Sequence, residues 1–217
     1  LFWASEETGN RFHHAIAVAH ADTTLRCFIR PDDSVNHAFR FDPVDGTPLR
    51  PDNYCGHGVD THWARGTAWA IYGFALAYRY TRDERYLQAS VRVARKFLSL
   101  LDDELVPLWD FRLASDQPQL RDSSAAAIAV CGLQELSDHL PDDSGMAQSA
   151  ESILARLCDR YVEHSRACPG VLREGQIGAG LLPGVPFYRA KSVYTSWGDY
   201  YLMEALARRL HGTKSYW

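Results

Sequence analysis

The strongest chemical signal in the sequence is the run Trp63-Ala64-Arg65-Gly66-Thr67-Ala68-Trp69. In a helix, Arg65 and Trp69 are four apart and share a face, with Trp63 close by at its mouth. A guanidinium beside indoles is a receptor for a sugar acid. Arginine grips a carboxylate through two parallel N–H bonds, while aromatic faces pack against the C–H surface of the ring. The same residues also fit a structural role, with the tryptophans in the core and Arg65 paired to a carboxylate such as Asp110. His37, flanked by Phe39 and Phe41, is a further pocket candidate, although a lone histidine often serves as a structural donor. Cys55, His57 and His62 match no metal-site spacing, so no metal is expected, nor any other cofactor. Asp110 and Asp122 could act as acid or base. Asp122, however, precedes Ser123-Ser124 and an alanine-rich run in the manner of a helix N-cap, and Asp110 suits an arginine partner. Tyr200 and Tyr201 could line a pocket or pack between helices. The sequence has no GxSxG, P-loop, HExxH or dinucleotide fingerprint.

These side chains must be held by helices. Residues Trp63 to Tyr78 are apolar almost all round, which places that helix between two layers. From Tyr86 onward, Leu87, Val91, Ala94, Phe97, Leu98 and Leu101 recur at helical spacing with Arg92, Arg95 and Lys96 between them, so this helix packs on one face. Alternating inner and outer helices are what a toroidal α/α barrel requires. An internal echo supports hairpins: Trp3 to Ala15 and Tyr78 to Ala89 both run from an apolar helix through Thr and a polar break into an Arg-aromatic pair. Ala125 to Leu140 and Met146 to Val162 form a third, weaker copy, and Thr195 caps a last helix from Trp197 to Leu210, giving about seven helical stretches. The region Arg30 to His62 includes the alternating stretch His37 to Phe41 and the turn Asp42 to Thr47, which predicts a small β-hairpin near 35–50. A second long irregular region spans Cys168 to Val193.

The 217 residues carry a formal net charge of -4 with scattered basic residues, which argues against nucleic acid or a basic membrane patch as partner. No apolar run reaches the ~18 residues of a membrane-spanning helix. The five cysteines lack paired close spacing and read as free thiols of a reducing compartment. Leu1-Phe2-Trp3-Ala4 reads as the last turn of an apolar helix, so a segment upstream is expected.

Four strings in order, WARGTAWAIYGFALAY, VPLWDF, RDSSAAAIAVCGL and YTSWGDYYLMEAL, resemble the motif series of glycoside hydrolase family 88, the unsaturated glucuronyl or chondroitin-disaccharide hydrolases. The likeness runs from Trp3 to about Gly212. It implies an all-α fold, an incomplete (α/α)6 toroid, with residues 1–217 forming one domain, its C-terminal part. It also implies a cytoplasmic, metal-independent enzyme whose partner is an unsaturated uronic-acid oligosaccharide left by polysaccharide lyases. In that family an aspartic acid protonates the C4=C5 vinyl ether and helps water add at C5, after which the hemiketal collapses. By the same resemblance His37, Trp63, Arg65 and Trp69 shape the substrate pocket. The family's two aspartates match no position here and are expected upstream of Leu1, so no catalytic residue is assigned and the chain alone should be inactive. Unsaturated rhamnogalacturonyl hydrolases and a non-catalytic glycan-binding relative are the alternatives. Three positions depart from the family: Tyr54-Cys55-Gly56 replaces His-Gln-Gly, Thr67 replaces Gln, and Gly175-Gln176-Ile177 lacks a Tyr.

Overall fold

The structure is a computed structural model that describes residues 1–141, 144–165, 167–177 and 193–213. Among these lie seven helices and one hairpin: α1 (Phe2–Thr8), α2 (Arg11–Phe28), β1 (Ala38–Phe41), β2 (Pro48–Asp52), α3 (Ala64–Thr81), α4 (Glu84–Ser99), α5 (Ser123–Ser137), α6 (Met146–Arg160) and α7 (Ser196–His211).

The repeated hairpin signal corresponds to a shared turn. α1 ends at Thr8, Gly9 takes a left-handed conformation, and the Asn10 side chain accepts from Phe12 N–H to start α2. α3 ends at Thr81, Arg82 is left-handed, and Asp83 accepts from Arg85 N–H to start α4. In both, a left-handed residue closes one helix and an Asn or Asp opens the next, which reverses the chain within a few residues.

Helices α3, α5 and α7 form an inner layer. The start of α3 (Arg65) meets the starts of α5 (Ser124) and α7 (Trp197). At the other end Glu135 of α5 receives both Arg79 of α3 and Arg208 of α7. The three helices are therefore parallel, with all their N-termini at one end. Every α5 residue from Ser123 to Leu133 is buried, in keeping with its small side chains and with neighbours on all sides. Gly132 lets α3 come close, since a Cβ there would stand 3.0 Å from the backbone nitrogen of Tyr72. α4 buries one face only, through Tyr86, Leu87, Ala89, Ser90, Val93, Ala94 and Phe97, and forms part of the outer layer. α3 and α7 also touch directly: Trp69 packs edge-on against Tyr201 at 5.1 Å, and Tyr72 bonds to Glu204 and receives a 3.0 Å bond from Arg208.

The expected hairpin forms with antiparallel register Ala38↔Asp52, Phe39↔Pro51 and Arg40↔Arg50, and an irregularity between Arg40 and Phe41. Phe39 against Phe28, ring centroids 6.0 Å apart, fastens it to α2. Asp60 and Thr61 do not cap α3; its N-cap is Trp63, without a side-chain cap bond, and Ala64 N–H donates to the carbonyl of Trp109 instead. Most of the irregular region Cys168 to Val193 lies outside the described residues, as do two residues of the α5–α6 turn.

Candidate functional site

The site lies at the end where α3, α5 and α7 begin. His37, arriving from the hairpin, stands edge-on to Trp63 with ring centroids 4.4 Å apart, and Tyr54 closes on it from another side at 4.5 Å. Gly66 makes room for this, because a Cβ there would come within 2.9 Å of the Trp63 ring and 3.8 Å of His37 Nδ1. A cavity of about 570 Å³ runs between α2 and α3. His37, Trp63, Gly66 and Trp69 line it, together with Ala70, Gly73, Phe74 and Ala77 and with Ala17, Ala21 and Phe28. Its lining is mostly apolar, with His20, Thr24, Asn36 and His37 as polar members. His37 Nε2 and the Trp63 indole N–H are buried without a hydrogen-bond partner among the described residues, so both can bond to a polar ligand.

Arg65 adjoins Trp63 but does not line that cavity. Its side chain is 6% exposed and its guanidinium is stacked between two indoles, 4.6 Å from the Trp63 ring and 5.0 Å from Trp197. At its edge, Nη1 donates to Asp122 Oδ2 at 3.2 Å, to Ser124 Oγ at 3.1 Å and to the Gln176 carbonyl. Nη2 donates to the Ile177 carbonyl at 3.1 Å. Its carboxylate partner is thus Asp122, not Asp110. Asp110 instead accepts backbone N–H bonds from His57, His62 and Arg112 at 2.9–3.0 Å and ties the rim loop to the start of α3. Asp122 also performs the capping role read from the sequence, accepting from Ser124 and Ala125 N–H.

Burial, and then the Arg65 charge, lower the His37 pKa to about 4 against an opposing pull from Asp52, so its imidazole is neutral near pH 7. Burial pushes the Cys55 thiol up, opposed by Arg65. The Thr67 hydroxyl turns back to the Trp63 carbonyl at 3.0 Å and is fully buried, which makes it part of the helix and not of the cavity. The structure thus groups His37, Trp63 and Trp69 at one mouth with Arg65 beside them. Sequence reasoning did not single out Tyr54, Trp197 or Ser124 for this site; only the place of Trp197, two residues after the Thr195 cap, hinted at it.

No protein-family model matches the sequence. The whole chain aligns with an unsaturated glucuronyl hydrolase of Bacillus sp. strain GL1, 37% identical and covering 57% of that protein. It also aligns throughout with an unsaturated chondroitin disaccharide hydrolase of Streptococcus pneumoniae, 36% identical and covering 54% of it. The solved unsaturated glucuronyl hydrolase of Bacillus sp. GL1 superposes on the full chain with a TM-score of 0.90 at 36% identity, again covering 57% of that structure. Along its whole length the chain is thus similar to unsaturated glucuronyl hydrolases. It spans about half the length of the curated relatives it matches. Its parallel inner helices with outer partners are a portion of the α/α toroid of those enzymes. One of the matching structures, from Streptococcus agalactiae, is described as complexed with dGlcA-GalNAc6S and has a TM-score of 0.83 at 32% identity, with 57% of it covered.

Proposed function

We propose that this chain forms part of a cytoplasmic glycoside hydrolase that removes 4,5-unsaturated uronyl residues from lyase-generated glycosaminoglycan oligosaccharides by hydrating the vinyl ether. In this reading residues 1–217 are one domain that supplies a wall of the sugar site, built from His37, Trp63, Arg65 and Trp69. The observation that carries it is the meeting of His37, Trp63 and Trp69 at one cavity mouth, in a chain that aligns from end to end with unsaturated glucuronyl hydrolases.

The division of labour follows from the side chains. Trp69, 38% exposed and lining the cavity, offers an aromatic surface to the C–H face of a sugar, while Trp63 backs the Arg65 guanidinium. The unpartnered His37 Nε2 and Trp63 N–H are matched to hydroxyl groups. Three helix N-termini at this end bias it toward an anionic carboxylate. In the reaction a proton adds to C4 and water to C5; the resulting hemiketal opens at its ring oxygen to a C5 ketone, and the hemiacetal so formed at C1 expels the glycosidic oxygen as an alcohol. No carboxylate lines the cavity among the described residues, so these residues bind and orient the sugar without supplying the general acid.

The test is to follow the ultraviolet absorbance of the substrate double bond with an unsaturated chondroitin disaccharide, using this chain and the longest product of its gene. The longer protein should consume the double bond, Trp69→Ala and His37→Ala should each slow it by roughly tenfold to a hundredfold, and this chain alone should not turn over. A longer protein that binds the disaccharide and leaves it intact would favour a non-catalytic glycan-binding role. Preference for an unsaturated rhamnogalacturonyl disaccharide in a parallel assay would move the substrate class to that group.

A further inference from the structure

Arg65 is held on every side by groups from three other segments, and that arrangement has a function of its own. Asp122 is fully buried. Its Oδ2 takes Arg65, while its Oδ1 takes the N–H groups of Ser124, Ala125 and Gln176 and the Ser124 hydroxyl. Ser124 Oγ in turn accepts from both Arg65 Nη1 and the Trp197 indole N–H, the latter at 3.3 Å. The carboxylate therefore fixes the edge of the guanidinium, and through Ser124 it also fixes the indole that covers one face. The carbonyls of Gln176 and Ile177 occupy further donors. A guanidinium used in this way cannot swing out to grip a ligand without breaking several bonds made in a water-poor environment.

We infer that Asp122 and Trp197 are positioning residues for the site: they lock the Arg65 guanidinium beside Trp63 and His37, so that Arg65 sets the shape and charge of the mouth as a fixed group and does not close on the ligand as an arm. The inference rests on the reading of this mouth as a sugar-acid site, but the lock itself can be measured without any sugar. A locked guanidinium rotates slowly about its Nε–Cζ bond, and its Nη protons give separate NMR resonances; a free one averages them.

The experiment uses the protein labelled at arginine, with three variants. Asp122→Asn keeps an N-cap side chain for α5 but loses the charge. Ser124→Ala leaves Asp122 in place and removes the shared hydroxyl. Trp197→Ala removes one stacking face. Separate Arg65 Nη resonances are expected in the native protein, assigned by their loss in Arg65→Lys, and they should merge in Asp122→Asn and Ser124→Ala while far-UV circular dichroism stays unchanged. Affinity for an unsaturated chondroitin disaccharide should fall roughly threefold to thirtyfold in Trp197→Ala, the range expected for losing one cation–π face. Averaged Nη resonances in the native protein, or separate ones that persist in both Asp122→Asn and Ser124→Ala, overturn the lock. Merged resonances with unchanged affinity in all three variants overturn its role in the site. If the native protein shows separate resonances and binds no unsaturated disaccharide, the functional reading fails and the lock stands. Should Asp122→Asn lose its helical signal, Ser124→Ala decides.

Discussion

His37 and His62 are both held well below the ordinary histidine pKa, and this ties the protein's stability to pH. Burial is the first cause in each case, followed by Arg65 for His37 and by Arg112 and Arg30 for His62, with resulting values of about 4 and about 3. Below about pH 6.5 the unfolded chain takes up protons that the folded one refuses, so stability falls as pH drops toward 4; each unit of depression is worth about 1.4 kcal/mol. The urea midpoint should therefore decline steadily from pH 7 to pH 4.5, and His62→Gln, at a residue 1% exposed, should flatten that slope. An unchanged slope in the variant would refute the assignment. Gly66→Ala makes a second prediction at this scale. Its new methyl meets the Trp63 ring, so it should weaken disaccharide binding more than it lowers stability, read by calorimetric titration and thermal melting. The grouping of Trp63, Arg65 and Trp69 was legible because spacing within one helix fixes which residues are neighbours. The direction of Arg65 was not legible, because its carboxylate partner lies 57 positions along the chain and only the packing of α3 on α5 brings the two together.

At the scale of elements, helix ends were readable wherever a side chain marks them. Asn10, Asp83, Asp122 and Thr195 each accept a backbone N–H in the first turn of the helix they open. The start of α3 escaped this logic, since an isolated bridge between Trp63 and Asp110 takes over the capping duty and no local pattern encodes it. Asp122 has two roles, so Asp122→Ala should cost about 3–5 kcal/mol, the range for stranding one partner of a buried ion pair, whereas Thr195→Ala should cost about 1 kcal/mol as a lost cap. Equal losses in chemical denaturation would count against the pairing with Arg65. Gly132→Ala tests the close approach of α3 and α5. Its Cβ would stand 2.9 Å from Ile71 Cγ2 and 3.0–3.1 Å from the Tyr72 backbone, so a loss of about 1–3 kcal/mol is expected where alanine would ordinarily favour a helix.

Across the whole molecule, the alternation of an all-round apolar helix with a one-faced one was enough to indicate two layers, because burial on two sides and on one leave different periodic traces. What the layers leave uncovered was visible only in three dimensions. Trp69, Tyr200, Met203 and Leu210 are 38%, 44%, 59% and 68% exposed on the inner helices α3 and α7, as is Phe12, at 66%, on α2. Apolar surface of this extent should bind a hydrophobic dye and promote self-association, both checked by dye fluorescence and sedimentation of this chain. The proposed function of the whole molecule rests on the aromatic mouth being a seat for an acidic sugar. The most direct measurement is a titration of the longest product of the gene with an unsaturated chondroitin disaccharide, followed by tryptophan emission and repeated with Trp69→Ala and His37→Ala. A saturable change in the native protein, at least about tenfold weaker in each variant and so worth about 1.4 kcal/mol, is the predicted result. Binding of equal strength in both variants would contradict it.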